Sequence, residues 1–361
     1  MNRNLIILLF SLSAASCTGR LTLDMVPAEI TFGASADAMD TKALVNNTTA
    51  LQTDHMLGAY GMFTYQTHAS KVYEGNELKY EVRNDATGTP DMWRAWDGSR
   101  SNWISKYWIE GSDYRFTLVS PYSAPGTAAS GANIGSGAVD YDYTTGGYTI
   151  PVTEVSKGSP DLMVGSAQRN IPVEPSETDF RPVEVNMKHA FAAVEFKIMN
   201  SSGKTIVGIN DVKFTGLKVD GTLTVLPSGE IGLSNWTTSG TANSTNYTNS
   251  GDIPGSTNFV YGTNEAVSVF SGPVVVIPQL VEVGNASEHI YFSFKYKRDK
   301  ESTYTDSIQY DLSDPSIVEA YGFRTWEAGK KYIYTATITT NTIIFQVDVK
   351  DWRDGGTYIL E

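Results

Sequence analysis

Val183-Glu184-Val185-Asn186-Met187-Lys188-His189-Ala190-Phe191-Ala192-Ala193-Val194-Glu195-Phe196-Lys197-Ile198-Met199 is the stretch whose reading decides the fold. Val194, Phe196 and Ile198 alternate with Glu195 and Lys197, the period of two expected of a strand with one face buried. Met187 to Phe196 also admits a helix, because Ala-rich runs tolerate one. The β-branched and aromatic residues that follow favour the strand.

Working outward, the same pattern recurs on both sides. Before the stretch, Leu21 to Phe32 reads as an edge strand, since Pro27 cannot donate into a central ladder. Residues 34 to 53 read as a loop, accessible to proteases, with Lys42 as its lone basic residue. Met56 to Tyr65, Leu78 to Val82, Tyr114 to Val119, Tyr148 to Val152 and Leu162 to Ser166 read as strands. Residues 170 to 182, with Pro172, Pro175 and Pro182 among polar residues, have the composition of a linker. After the stretch come Ile206 to Thr215, Leu217 to Val225 with a turn at Asp220-Gly221, Val267 to Val276, Ile290 to Lys297, Thr303 to Leu312, Lys331 to Thr339 and Thr342 to Val349. Pro315 to Ala320 makes one helical turn at most. The expected fold is all-β, with two β-sandwich domains at residues 17–180 and 181–361.

Composition narrows the function. The length of 361 residues suits two domains, and 41% hydrophobic with 19% charged residues excludes wholesale disorder. A net charge of -13 argues against nucleic acid and acidic lipid as partners, which need a basic surface. Asn2 and Arg3, the apolar run Leu5 to Leu12 and the small residues Ala14, Ala15 and Ser16 ahead of Cys17 form a secretory signal over residues 1–16. Cys17 is the only cysteine and stands where cleavage leaves it first. The pattern is therefore that of a bacterial lipoprotein signal, with Cys17 as the lipidated residue, and no disulfide forms within the chain.

Reactive constellations are missing from the sequence. His55, His68, His189 and His289 are scattered and read as surface or strand-edge residues, with no pair at metal-ligand spacing. There is no Gly-x-Ser-x-Gly elbow, and Gly203-Lys204-Thr205 lacks the glycine that a phosphate-binding loop requires. Asp140 and Asp142 alternate as at the start of a calcium loop, but Thr144 and Thr145 break the pattern. The expectation is no catalytic residue, metal or cofactor. Trp93, Trp96, Trp103 and Trp108 crowd into sixteen residues. Exposed rings stack on sugars, so Trp93, Trp96 and Trp103 are candidate glycan contacts, while rings filling the core are the plainer alternative.

Several segments, in order, resemble the fimbrillin-like proteins of Bacteroidales, which include subunits of type V pili. They are Tyr107-Trp108 with Tyr114-Arg115-Phe116 and Ser120-Pro121-Tyr122, then Ser159 to Gly165, then Val183 to Ile198 with His189-Ala190-Phe191. Val276-Ile277-Pro278-Gln279, Trp326 to Tyr334 and Val349-Lys350-Asp351-Trp352 complete the series. The resemblance implies transthyretin-like topology, export as a lipoprotein carrying palmitate at the outer membrane, and polymerisation with other fimbrial subunits by donor-strand exchange. It implies that Leu21, Leu23, Met25, Ile30 and Phe32 form a removable first strand and that Lys42 takes the place of the usual Arg at the processing site. A cut at Arg20 instead removes the lipid and keeps the strand. Ile343, Phe345, Val347 and Val349 alternate as a candidate donor strand. The expectation is a non-enzymatic fimbrial subunit at the cell surface, with a host protein or glycan receptor as a further partner. The alternative is a monomeric surface lipoprotein that binds glycans through the tryptophans.

Overall fold

The computed structural model describes residues 28–36, 57–81, 92–126, 134–239, 247–249, 266–270, 272–281, 284–285, 288–299, 301, 303–305, 307–321 and 323–351. In chain order the first strands are β1 (Phe32–Ala36), β2 (Leu57–Tyr65), β3 (His68–Glu81), β4 (Met92–Asp97), β5 (Asn102–Ile104) and β6 (Ser112–Ser120). Then come β7 (Asp140–Tyr141), β8 (Tyr148–Val152), β9 (Met163–Ile171) and β10 (Val183–His189). The later strands are β11 (Ala192–Asn200), β12 (Ile206–Thr215), β13 (Asp220–Val225), β14 (Trp236–Ser239), β15 (Thr248–Asn249), β16 (Val267–Ser268) and β17 (Val274–Val276). β18 (Gln279–Leu280), β19 (Tyr291–Arg298), β20 (Ile308–Asp311), β21 (Thr325–Trp326), β22 (Lys330–Ile338) and β23 (Ile343–Asp351) complete them, with one helix, α1, at Pro315–Tyr321. The fold is all-β.

The deciding stretch holds two strands. β10 belongs to an eight-stranded sheet of order β1-β10-β9-β6-β2-β3-β4-β5, and β11 to the sheet β16-β11-β22-β23, where β17 also pairs with β11. Between them Ala190 and Phe191, both fully buried, carry the chain from one sheet to the other. The apolar face of β11 explains its strand conformation. Phe196 stacks on Phe292 of β19 at 4.1 Å, lies 5.1 Å from Tyr334 of β22 and meets Phe214 of β12 edge-on at 4.7 Å. Phe196 therefore joins the β11 sheet to the sheet β15-β12-β19-β20 face to face.

The eight-stranded sheet closes on itself, because β1 pairs with β10 and also with β4 at Phe32 and Trp93. Its interior is packed with Ile30, Phe32, Tyr73, Trp93, Trp108, Tyr114, Phe116 and Leu118. Tyr60, Met62, Val119 and Val164 from the same sheet belong instead to a second, larger core that continues through Phe191 to Ile338. A sheet of order β14-β13-β8-β7 lies on that side, with Tyr141 of β7 stacked on Tyr60 of β2 at 5.7 Å.

Several local readings differ from the structure. Residues 34–36 were expected in a loop and extend β1 instead, because Ala34 is buried and the ladder to β10 continues to Ala36. β3 begins ten residues before the expected Leu78, since its first half pairs along β2 down to Tyr65 and His68. Asp220-Gly221 lies within ladders to β14 and β8 and is no turn. β14 (Trp236–Ser239) is anchored by Trp236, whose indole nitrogen donates to the Ala190 carbonyl. Residues 170–182 are an ordered bend: a 3-10 turn at Glu177–Phe180 is capped by Ser176, and Arg169 donates to the carbonyls of Asp179, Arg181 and Pro182.

Phe196 is fully buried at the meeting of four strands, so Phe196→Ala removes a large ring from a packed interior. The expected loss is about 3–5 kcal/mol of stability, read as a lowered denaturant midpoint at unchanged slope.

Candidate functional site at the seam of the first strand

β1 is the strand that closes the ring, and its two sides are held unequally. Toward β10 it forms a parallel ladder from Phe32 and Val183 to Ala36 and Met187, preceded by the Val183 amide donating to the Thr31 carbonyl at 2.8 Å. Toward the other side the ladder is short. Phe32 pairs with Trp93, Glu29 bridges to Tyr107, the Ile30 amide donates to the Lys106 carbonyl and the Trp108 amide to the Ala28 carbonyl. Backbone pairing alone leaves this edge weakly held.

Side chains supply what the backbone lacks there. The Phe32 ring lies 5.2 Å from Phe116 and 5.7 Å from Tyr73, and the Tyr73 hydroxyl donates to the Ile30 carbonyl at 3.4 Å. Burial pushes the Tyr73 hydroxyl pKa well up, so it stays a donor. Outside the ring wall, the Arg94 guanidinium donates to Glu29 at 2.9 Å and to Glu81 at 2.9 Å, and stands over Trp103 at 5.0 Å. Desolvation works against the Arg94 cation, but the hydrogen bonds to Glu81 and Glu29 outweigh it and raise its pKa above the ordinary value. Glu29 sits just ahead of β1, so this pair of charge-assisted bonds ties the strand to β3 and β4. Neither Glu29 nor Arg94 was singled out from sequence, because their pairing spans 65 residues and leaves no local pattern.

The expected site residues fall in different places. Ile30 and Phe32 are buried in the ring interior. Leu21, Leu23, Met25, Cys17, Arg20 and Lys42 lie outside the described residues, as do the signal peptide and Trp352. Trp93 corrects its reading as a glycan contact: it is 1% exposed and packs inside the ring. Trp96 and Trp103 are half-buried and meet edge to face at 5.0 Å, with the Lys79 ammonium 4.4 Å from the Trp96 ring centre. Ile343, Phe345 and Val347 share the face of β23 that packs on the larger core, while Val349 is exposed. β23 is the outer strand of its sheet, paired with β22 from Ile338 and Ile343 to Lys330 and Asp351. Phe345 stacks on Tyr310 at 4.5 Å.

His189 is another correction, since it is 4% exposed and its Nδ1 lies 2.6 Å from the Asp161 carboxylate. The pair is buried on both sides. It joins the end of β10 to the segment just ahead of β9, two residues past the last pair of the β1 ladder. Among the described residues, no cluster of three or more His, Cys, Asp or Glu is placed to hold a metal ion.

A family model described as fimbrillin-like matches residues 41–352. Among solved structures, a fimbrial protein of Bacteroides vulgatus is 13% identical, with 89% of this chain and 99% of that chain covered and a TM-score of 0.53. A candidate cell adhesion protein of Bacteroides uniformis is 15% identical over 92% of this chain and 100% of that chain, with a TM-score of 0.49. No curated protein sequence matches the chain.

Arg94→Met removes the tie while keeping an apolar stem against Trp103. Native-state hydrogen exchange of the β1 amides is expected to accelerate roughly 10- to 100-fold, the loss of about 1.5–3 kcal/mol of charge-assisted bonding. Exchange in β11 and β22 remains at the wild-type rate.

Proposed function

The chain belongs to the fimbrillin-like family, and we propose that it is an exported, non-enzymatic subunit of a surface fimbria that assembles by strand exchange at the β1 seam. The observation that carries this reading is the position of β1. With Ile30 just ahead of it, β1 supplies Phe32 and Ala34 to the ring interior, yet only one of its edges has a continuous ladder. A vacated seam exposes the unpaired edge of β10 and the apolar walls around Phe116 and Tyr73. An incoming strand restores both, with main-chain hydrogen bonds along β10 and alternate side chains filling the vacancy.

In this reading Cys17 carries the lipid that holds the chain at the outer membrane before processing. Cleavage after Lys42 frees the first strand, residues 21–32, together with its continuation to Ala36. Residues 343–349 of β23 form the donor, since the face that carries Ile343, Phe345 and Val347 has the same alternation as the interior it has to fill. Of the two expected halves, 17–180 and 181–361, the first then acts as the acceptor together with β10 from the second, and the rest of the second acts as the donor. The partners are further fimbrial subunits, and the placement is the cell surface.

The test is made on native protein released from the outer membrane. Its N-terminal residue is expected to be Ala43, and an unboiled gel is expected to show a ladder of high-mass species. Lys42→Gln retains the original N-terminus and reduces the ladder at least tenfold. A lipidated Cys17 on a single monomer band rejects the proposal.

A further inference from the structure

Tyr65, Tyr107, Ile109 and Val173 make up half of the large apolar side chains that stand exposed among the described residues, the others being Leu226, Leu280, Ile344 and Val349. The four come from three segments, the end of β2, the connection from β5 to β6 and the bend after β9, that lie at one end of the closed sheet. Tyr65 ends β2 opposite Ser112 of β6, and Ser112 is in turn opposite Ile171 at the end of β9. Gly111 brings the surrounding loops together. Its amide donates to the Pro172 carbonyl at 3.1 Å, and a Cβ placed on it would stand 3.4 Å from Val173 and 3.5 Å from Tyr65. Ile109 and Tyr107 precede it by two and four residues, on the segment that pairs with residues 28–30.

This end is also where the seam is open. β1 runs parallel to β10, so Ala36 lies beside Met187, just before the chain passes through Ala190 and Phe191 into the larger core. The Ala36 end of the seam therefore faces the second half of the same chain. The opposite end, at Ala28, lies beside Tyr107 and Trp108. A strand provided by another molecule has to enter from this side, which brings the body of the molecule that provides it against the same end.

Resting on the strand-exchange reading above, we infer that the end of the first sheet formed by Tyr65, Tyr107, Ile109 and Val173 is the surface against which a second copy of this chain seats its body when its strand fills the seam. Four exposed apolar side chains gathered at one end are unusual for a surface that stays wet, and seating a neighbour removes them from water. The surface adds area to an interface that otherwise consists of one strand. It also fixes the angle between successive copies, because a strand in a groove leaves the body that carries it free to swing.

The experiment compares native surface protein of the wild type, the Ile109→Asp/Val173→Asp double variant, Val173→Asp alone and Leu280→Asp on unboiled gels. Leu280 is equally apolar and 55% exposed, on β18 in the other half of the chain. The double variant is expected to lose high-mass species at least tenfold and Val173→Asp severalfold, while Leu280→Asp stays at the wild-type level. Thermal midpoints are recorded for all four, and Val173→Asp, at 75% exposure, decides the matter if the double variant melts early. Ladders undiminished in both Val173 variants overturn the inference while leaving strand exchange intact. A wild-type chain that forms no ladder at all overturns strand exchange, and this surface with it.

Discussion

The ring of strands in the first half of the chain depends on β1. Without it the sheet is open between β10 and β4, and the interior loses Ile30, Phe32 and Ala34 together. A closed sheet has no exposed edge, which is why closure is such an effective protection for β proteins. Here the closing element is five residues long and joined to β4 at one position, so the protection rests on side chains more than on backbone pairing. The Glu29–Arg94–Glu81 cluster is placed where the ladder is thinnest. Its members are partly buried, so their attraction is less screened than that of a surface pair, and the carboxylates together meet the donors of the guanidinium.

Distance along the chain separates β1 from the rest of the ring. β2 with β3 and β3 with β4 pair between neighbours in sequence, whereas β1 meets β10 across about 150 residues, a gap that also makes their parallel orientation possible. Contacts between remote segments carry a larger closure entropy than those of local hairpins. β1 is therefore the strand of the ring whose pairing gains least from local connection.

What the sequence made legible follows from the range of the interactions. Alternation over Val194 to Ile198 depends only on which face of one strand meets the core, and the fold class followed from it. The inward face of β23 was legible for the same reason at Ile343, Phe345 and Val347, while Val349 lies beyond the cover of the core and is exposed. Trp93 was misread because a crowded run of tryptophans does not say which of them point inward. Alternation along β4 turns Trp93 and Ala95 into the ring and leaves Trp96 at its surface. His189 looked like a strand-edge residue because its partner, Asp161, lies 28 residues earlier. Gly221 suggested a turn, but its missing side chain allows close approach instead: an added Cβ would lie 3.1 Å from the Thr237 carbonyl of the adjacent strand. The electrostatic tie on β1 had no sequence signal at all, since each of its three residues is ordinary in its own neighbourhood.

The division of the interior decides whether a strand can leave without unfolding the molecule. Every interior contribution of residues 28–36 belongs to the smaller core, with Trp93, Phe116 and Met187 around it. The larger core runs from Tyr60 through Phe196 to Ile338 and draws nothing from that segment. β2, β6 and β9 take part in both, with Leu118 on one side of the wall and Val119 on the other, so the wall of the groove is braced from behind by packing that β1 does not touch. The side chains of β1 thus belong to one core, and the packing behind the wall does not include them. A core shared by all the strands would have tied the first strand to every layer; the separation into two confines its side chains to one of them.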